Sequence, residues 1–191
     1  MILFTGCSIT WGDELEHRIQ DRFSKSYPNI SERGMSNDMM VKKTIEFLDK
    51  TPHVEFVVVQ FTVPRRVMYY RNEWKNLTPW TKSTEARVYY KYLDSQESRM
   101  MNLWKNVYIL DQYLQDIPHY FWRLGEYSEK DVKEDCVFRK LSPWSDMVTL
   151  YDLIGTPDGS PENYVTGHPN KQGHELIAQH LQGVVPNSLY H

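Results

Sequence analysis

Residues 1–12 read MILFTGCSITWG, and the rest of the chain is organised around this stretch. The residues after Met1 form a short apolar run, which Gly6 interrupts just before Ser8. A short apolar run bounded by glycine is typical of a strand in a parallel sheet. We therefore predict a buried strand over residues 2–5, a tight turn that carries the Ser8 hydroxyl, and a helix that begins near Trp11.

Ser8 has two interpretations at this stage. A serine at a strand-to-helix turn faces the crevice at the carboxyl end of the sheet, where open α/β folds bind ligands. Amide N–H groups at such a helix start can also hold an oxyanion. The alternative is that Ser8 only caps the following helix. Distinguishing these two interpretations of Ser8 requires the residues that follow later in the chain.

Composition restricts the class of protein. The chain has 191 residues, of which 40% are apolar and 25% charged, so we expect one globular domain over residues 1–191. A net charge of −3 gives no basic footprint for nucleic acid. Two cysteines make neither a disulfide framework nor a zinc motif, and we expect no metal and no cofactor. With no apparent signal peptide or membrane span, the prediction is a cytoplasmic protein.

Strand and helix patterns alternate along the chain. Residues 54–61, VEFVVVQF, are almost continuously apolar and β-branched, as expected of a central parallel strand. The alternation predicts a three-layer α/β/α sandwich with a parallel sheet. Its other predicted elements are a helix from Ser36 or Asn37 to Thr51, a helix over 98–114, a strand over 118–124, a partly helical segment over 128–141, and a last helix with Pro169 near its first position that Gly183 ends.

An aromatic-rich insert at about residues 68–92 interrupts this alternation. Pro79 and the Ser and Thr residues around it favour a loop. The insert is either an aromatic mini-core or a wall that stacks sugars over the crevice. Trp80 and the nearby Arg65 are the substrate-binding candidates, although Arg65 and Arg66 also fit a solvated face. The aromatic residues are Tyr69, Tyr70, Trp74, Trp80, Tyr89, Tyr90 and Tyr92.

Four loops are predicted to meet at the carboxyl edge of the sheet: residues 6–10, 34–38, 60–62 and 167–170. Together they place a serine, helix starts and His168 at one site. A serine hydroxyl is a weak nucleophile until a base takes its proton, and an imidazole can do so near neutral pH. This is the chemistry of acyl transfer. The neighbouring Cys7 is a less favoured nucleophile, because cysteines are commonly buried.

At these residues the chain resembles the SGNH (GDSL-like) hydrolases, most closely the compact versions of bacteriophage genomes. The matching stretches are GCSITWG at 6–12, GMSND at 34–38, and GHPN at 167–170 followed by Gly173 and His174. The resemblance implies a flavodoxin-like sandwich that hydrolyses esters, often acetyl esters of sugars or acyl esters of lipids, without a metal.

The resemblance also implies roles for individual residues. Ser8 matches the nucleophile and donates its own N–H to the oxyanion hole. Asn37 falls where the family usually has its second oxyanion glycine, and Gly34 is better read as a turn glycine. His168 matches the general base, whereas His174 is expected to pack on or beneath the last helix.

Two positions depart from the family's pattern. The Gly-x-Asn motif is absent and Gln-Phe-Thr stands at 60–62, so Gln60 or Thr62 would have to supply the side-chain donor. The family's acid, three residues before the base, is Val165 here. Asp158 or Glu162 could replace it, or a backbone carbonyl could orient His168 in a dyad.

Two hypotheses follow for function. The first is a serine esterase of the SGNH type that acts on a small-molecule or carbohydrate ester, with a carbohydrate O-acetyl ester preferred because the insert could stack sugars. The second is a catalytically impaired SGNH fold used as a binding or structural module, for example in a phage particle. No membrane or nucleic-acid partner is expected, and the sequence leaves the oligomeric state open.

Overall fold

The structure is a computed structural model that describes residues 1–12, 19, 23, 27–125, 136–165 and 168–189. A helix that begins near Trp11 would carry Asp13 and Glu14 in its first turn. These two residues, part of the helix predicted over 128–141, and Gly167 lie outside the described residues. The strands are β1 Ile2–Thr5, β2 Phe56–Phe61, β3 Val67–Arg71, β4 Glu73–Leu77, β5 His119–Arg123, β6 Val148–Thr149, β7 Tyr164–Val165 and β8 His168–Pro169. The α-helices are α1 Ser8–Trp11, α2 Asn37–Lys50, α3 Thr84–Val88, α4 Gln96–Tyr113, α5 Val137–Leu141, α6 Leu150–Ile154 and α7 Lys171–Val184.

Four strands pair in parallel in the order β1-β2-β5-β6. On the free side of β1, Phe4 makes a single parallel bridge to Asn29. With Asn29 counted as a vestigial second strand, the order matches the flavodoxin-like 2-1-3-4-5. Parallel strands end at the same edge, so the segments after Thr5 and Phe61 emerge side by side.

Side chains of the sheet alternate between two apolar cores. Leu3, Val57 and Val59 pack with α2 and α4 on one face. Phe4, Val58 and their neighbours pack with α6 and α7 on the other. The strands β1 and β2 are buried on both faces, which explains why residues 54–61 show little polar alternation. The predicted α/β/α sandwich is confirmed.

Two predicted helix starts are wrong. The helix after β1 begins at Ser8 rather than near Trp11, and the left-handed Gly12, with φ 75°, ends it. Pro169 belongs to β8, and Asn170 caps α7 by accepting the N–H of Gly173. At both helix starts, tertiary contacts rather than local propensity set the boundary.

The aromatic-rich insert is more ordered than its composition suggested. It forms the antiparallel hairpin β3–β4, then α3 and a π-helical turn over Tyr89–Leu93. Tyr70, Trp80 and Tyr92 remain 64%, 61% and 67% exposed. These aromatic rings therefore do not form the closed mini-core that was one of the two interpretations.

In the part of the chain that the structure describes, no helix combines the length and the apolar character needed to cross a membrane.

Candidate active site

Ser8 is the first residue of α1, and it does not cap the helix. The N-cap is Cys7, whose side chain makes no capping bond. Cys7 itself is only 1% exposed and its thiol donates to Gln60 Oε1 at 3.5 Å. The capping interpretation of Ser8 is therefore wrong, and its hydroxyl is left to interact elsewhere.

The turn before Ser8 leaves no room for a side chain at Gly6. A Cβ there would lie 2.4 Å from Oγ1 of Thr10 and 3.0 Å from Cβ of Gln60. Both neighbours are buried, so neither can move aside freely. Gly6 thus lets α1 fold back tightly onto the end of β2.

We expect Gly6→Ala to lower the free energy of unfolding by about 1–3 kcal/mol, because the added methyl overpacks this turn. Gly183→Ala is the matched control. A Cβ at Gly183 would meet nothing within 4 Å. Gly183→Ala should therefore raise the free energy of unfolding by about 0.4–1 kcal/mol, because alanine lowers the conformational entropy of the unfolded chain. Urea denaturation of the two variants measures both. Equal effects would contradict the crowding at Gly6.

The structure brings Ser8 and His168 together. Oγ of Ser8 lies 3.2 Å from Nε2 of His168, although 160 residues separate the two in the chain. Ser8 is 7% exposed, and His168 sits on β8, which pairs with β7 in a short antiparallel ladder. A hydroxyl within hydrogen-bond reach of an imidazole nitrogen is the pair that nucleophilic catalysis requires.

The other nitrogen of this imidazole has no acid beside it. Nδ1 of His168 is buried and has no hydrogen-bond partner among the described residues. The side chains of Asp158 and Glu162 are exposed, and neither makes a hydrogen bond to His168. Instead, the backbone carbonyl of Glu162 accepts a bond from the Asn170 side chain at 2.5 Å. The geometry does not assemble the Ser-His-acid triad that Asp158 or Glu162 would complete.

The GMSND stretch positions the start of α2 beside the end of β2. Ser36 caps α2, and the Asn37 side chain exchanges two bonds with the backbone of Thr62, at 2.9 and 3.1 Å. Asp38 accepts from the Met68 amide and from side chains of α4. Gly34, with φ 69°, provides the left-handed turn before them, as predicted. The side chain of Asn37 is therefore held against the sheet while its amide occupies the first position of α2.

Gln60 and Thr62 each present a buried polar group without a partner. Oε1 of Gln60 accepts from the Thr10 hydroxyl at 2.8 Å and from the Thr10 amide at 3.3 Å, which braces α1. Among the described residues, Nε2 of Gln60 and Oγ1 of Thr62 make no hydrogen bond, although both side chains are fully buried. Such groups are rare in folded proteins and call for an explanation, of which an absent ligand is one.

His174 is a second buried imidazole, on the first turn of α7. Its side chain is 5% exposed and its Nδ1 is also without a partner. Burial, and secondarily the charge of nearby His168, lowers the pKa of His174 to about 4. His174 therefore remains neutral in the folded protein at pH 5–8, as a packing histidine should.

This depressed pKa predicts acid sensitivity. The unfolded chain protonates His174 below about pH 6.5, whereas the folded chain protonates it only near pH 4, because its pKa is lowered. The free energy of unfolding therefore falls as the pH falls from 6.5 to 4. The loss attributable to His174 is up to about 3 kcal/mol. Chemical denaturation at pH 7 and pH 4 should show a smaller loss for His174→Leu than for wild type. The exposed His53→Leu should behave as wild type, and an unchanged pH dependence in His174→Leu would refute the assignment.

Within the described ranges, no three His, Cys, Asp or Glu side chains are grouped so that they could hold a metal ion.

The sheet order, the two helical layers and the position of Ser8 and His168 at the carboxyl edge define an α/β fold of the GDSL (SGNH) lipolytic type. Solved structures with this fold include a lipolytic protein of the G-D-S-L family from Veillonella parvula, with 15% identity, a TM-score of 0.53 and 96% of each chain covered. TesA has 12% identity, a TM-score of 0.57 and 98% of each chain covered. The psychrotrophic esterase EstA from Pseudoalteromonas has 12% identity and a TM-score of 0.55, over 100% of this chain and 98% of that one.

Neither a protein-family model nor a curated protein sequence matches the chain. At 12–15% identity the structural similarity establishes the fold, and the chemistry has to be argued from the residues of the site.

Proposed function

We propose that this protein is a serine ester hydrolase in which Ser8 is the nucleophile and His168 the general base. The observation that carries the proposal is the 3.2 Å approach of Ser8 Oγ to His168 Nε2. The pair lies at the carboxyl edge of the parallel sheet, where α/β folds place their ligands. The solved structures with the same fold include an esterase, which agrees with this assignment.

The proposed reaction begins with proton transfer from Ser8 Oγ to Nε2 of His168 as Oγ attacks the ester carbonyl carbon. His168 then protonates the leaving alcohol, and an acyl-Ser8 ester remains. Water, deprotonated by the same Nε2, hydrolyses that ester and regenerates Ser8. Because Nδ1 of His168 has no acidic partner in the described residues, the pair acts as a dyad.

We assign stabilisation of the oxyanion of the tetrahedral intermediate to the backbone amides of Ser8 and Asn37. Ser8 and Asn37 each occupy the first position of a helix, where the N–H has no partner within the helix. Positive partial charge at the same helix ends favours the developing negative charge. We assign the third donor to Thr62 Oγ1 or Gln60 Nε2, two buried groups at the end of β2 that have no partner among the described residues.

For the substrate we propose a carbohydrate O-acetyl ester. Exposed aromatic rings on the insert, Trp80 and the edge-to-face pair Tyr70–Trp74, offer flat surfaces of the kind that stack on sugars. Cytoplasmic location and a bacteriophage origin stay predictions of the sequence.

The test of the function is hydrolysis of 4-nitrophenyl acetate together with labelling by a fluorophosphonate probe. We expect turnover by the wild-type protein and a covalent adduct on the peptide that contains Ser8, located by mass spectrometry. A protein that neither turns over nor labels would instead be the impaired SGNH-fold binding module.

Thr62→Val separates a catalytic donor from a structural hydroxyl. If Thr62 Oγ1 donates to the oxyanion, kcat falls about 10²- to 10³-fold. The free energy of unfolding should stay constant or rise, because the buried hydroxyl has no partner to lose. Steady-state kinetics and urea denaturation measure the two quantities.

Thr44→Val is the matched control, since Thr44 is equally buried but donates to the Met40 carbonyl at 2.8 Å. It should lose stability and keep kcat. A full kcat in Thr62→Val would move the donor role to Gln60.

A further inference from the structure

Arg66 is a buried arginine in the segment that leaves β2, four residues beyond Thr62. We propose that Arg66 binds an anionic group of the ester substrate, so that the enzyme prefers esters carrying a carboxylate near the scissile bond. This inference rests on the proposed function, because it names the substrate class of the same site. An anionic sugar ester would satisfy both proposals.

The guanidinium of Arg66 is buried without a counter-ion. The residue is 9% exposed, and no ion pair among the described residues includes it. Its one hydrogen bond runs from Nη1 to the Met35 carbonyl at 3.5 Å, the limit of such a contact. Nε is buried with no partner. An uncompensated buried charge is costly, so a site of this kind favours an anionic ligand.

Two other arginines of this protein have their charge balanced by a neighbouring carboxylate. Arg99, more exposed than Arg66, makes a two-pronged pair with Asp94, and the exposed Arg71 pairs with Glu85. Of these three arginines, the most buried one, Arg66, is the one without an acidic partner among the described residues. A guanidinium offers parallel N–H donors that match a carboxylate or phosphate.

Trp80 completes the proposed subsite. Its ring lies 5.1 Å from Cζ of Arg66 and is 61% exposed, so it shields the guanidinium from one side while facing solvent on the other. The residues flanking Trp80 line an open cleft of about 520 Å³ that contains Lys82 and Arg87 and no acidic side chain. The positive potential of this cleft would draw anions toward Arg66.

The position of Arg66 suits a substrate attached at Ser8. Its contact residue Met35 lies two residues before Asn37, the proposed oxyanion donor, and two residues span at most about 7 Å. An ester carbonyl held by the Asn37 amide therefore has Arg66 within reach of a group a few bonds away. A succinyl half-ester or an acidic alcohol has this length.

The experiment compares matched esters that differ only in charge. One pair is mono-4-nitrophenyl adipate and its methyl ester, which place the charge on the acyl side along a chain too long for the carboxylate to attack its own ester readily. The other is 3-acetoxybenzoate and its methyl ester, which place it on the alcohol side. We expect wild type to prefer the anionic member of at least one pair in kcat/KM, and Arg66→Gln to reduce that preference about 10- to 100-fold.

Two further variants sharpen the comparison. Arg66→Lys keeps the charge but not the two-pronged geometry, and should retain part of the preference. Lys75→Gln removes one positive charge from the exposed hairpin and should retain all of it. If wild type shows no preference in either pair, the Arg66 proposal is wrong even if Arg66→Gln fails to fold.

Binding without turnover distinguishes this proposal from the proposed function. Calorimetry of monomethyl succinate and 3-hydroxybenzoate with Ser8→Ala should detect binding that Ser8→Ala/Arg66→Gln lacks. Binding by a protein that never hydrolyses esters would uphold the anion site and overturn the esterase. Hydrolysis with neither charge preference nor anion binding would uphold the esterase and overturn the anion site.

Discussion

Ser8→Ala should lower kcat for 4-nitrophenyl acetate about 10⁴- to 10⁶-fold, the range in which a serine hydrolase loses its nucleophile. The physical reason is that Ser8 Oγ is the atom that forms the acyl-enzyme bond, and the nearest alternative, the Cys7 sulfur, is buried and 4.0 Å away from it. Steady-state kinetics and fluorophosphonate labelling test this prediction, and both turnover and labelling should be lost in Ser8→Ala.

Ser145→Ala controls for the loss of a serine hydroxyl as such. Ser145 is exposed and lies within the short 3₁₀ turn Pro143–Asp146. It should retain wild-type turnover and labelling. Wild-type turnover in Ser8→Ala would refute the nucleophile assignment and favour the binding-module hypothesis.

His168→Ala is expected to lower kcat about 10⁴- to 10⁶-fold as well, since without a base the Ser8 hydroxyl keeps its proton. Added imidazole should restore part of the rate by occupying the space that the ring vacates. Restoration separates loss of the base from a general loss of structure, which imidazole would not repair.

The exposed His53→Ala is the control for His168→Ala, and it should be unaffected in rate and indifferent to imidazole. Imidazole rescue of Ser8→Ala should be absent, because the missing group there is the nucleophile. An active His168→Ala would mean that another group takes the proton of Ser8, and the dyad mechanism would fall.

The sheet could be predicted because its pattern is local. Residues 2–5 and 54–61 carry apolar, β-branched runs that no other element accommodates, and the structure places strands there. The cap at Ser36 was equally readable, since a short polar side chain followed by an apolar stripe is a helix-start signal. The start of α1 was missed, because a one-turn helix has no periodicity to detect.

The residue types of the site could be predicted from the sequence, but the contacts among these residues could not. The sequence offered Ser8 and His168 as partners, and in the structure their Oγ and Nε2 atoms lie 3.2 Å apart. It also offered Asp158 and Glu162 as acids, and the fold leaves both exposed. A loop's composition says which side chains it carries, whereas its path over the sheet decides which of them point inward.

Other features of the site depend on tertiary contacts for the same reason. The side chain of Asn37 joins α2 to the end of β2, a contact that no local pattern reveals. Arg65 stays a predicted substrate-binding residue; it is exposed, whereas the adjacent Arg66 is buried beneath Trp80. The one available signal was that neighbouring residues leaving a strand point in different directions, which makes a pair of arginines inequivalent.

By itself, the sequence determined the α/β class, the strands that form the core of the sheet and the candidate pair Ser8 and His168. These follow from hydrophobic periodicity and residue chemistry, which act over a few neighbouring residues. Only the tertiary structure decided that Ser8 does not cap α1 and that, among the described residues, His168 has no acidic partner and the buried Arg66 has no counter-ion. Each of these depends on contacts or burial between segments distant in the chain, and no local pattern encodes which distant group a side chain will meet.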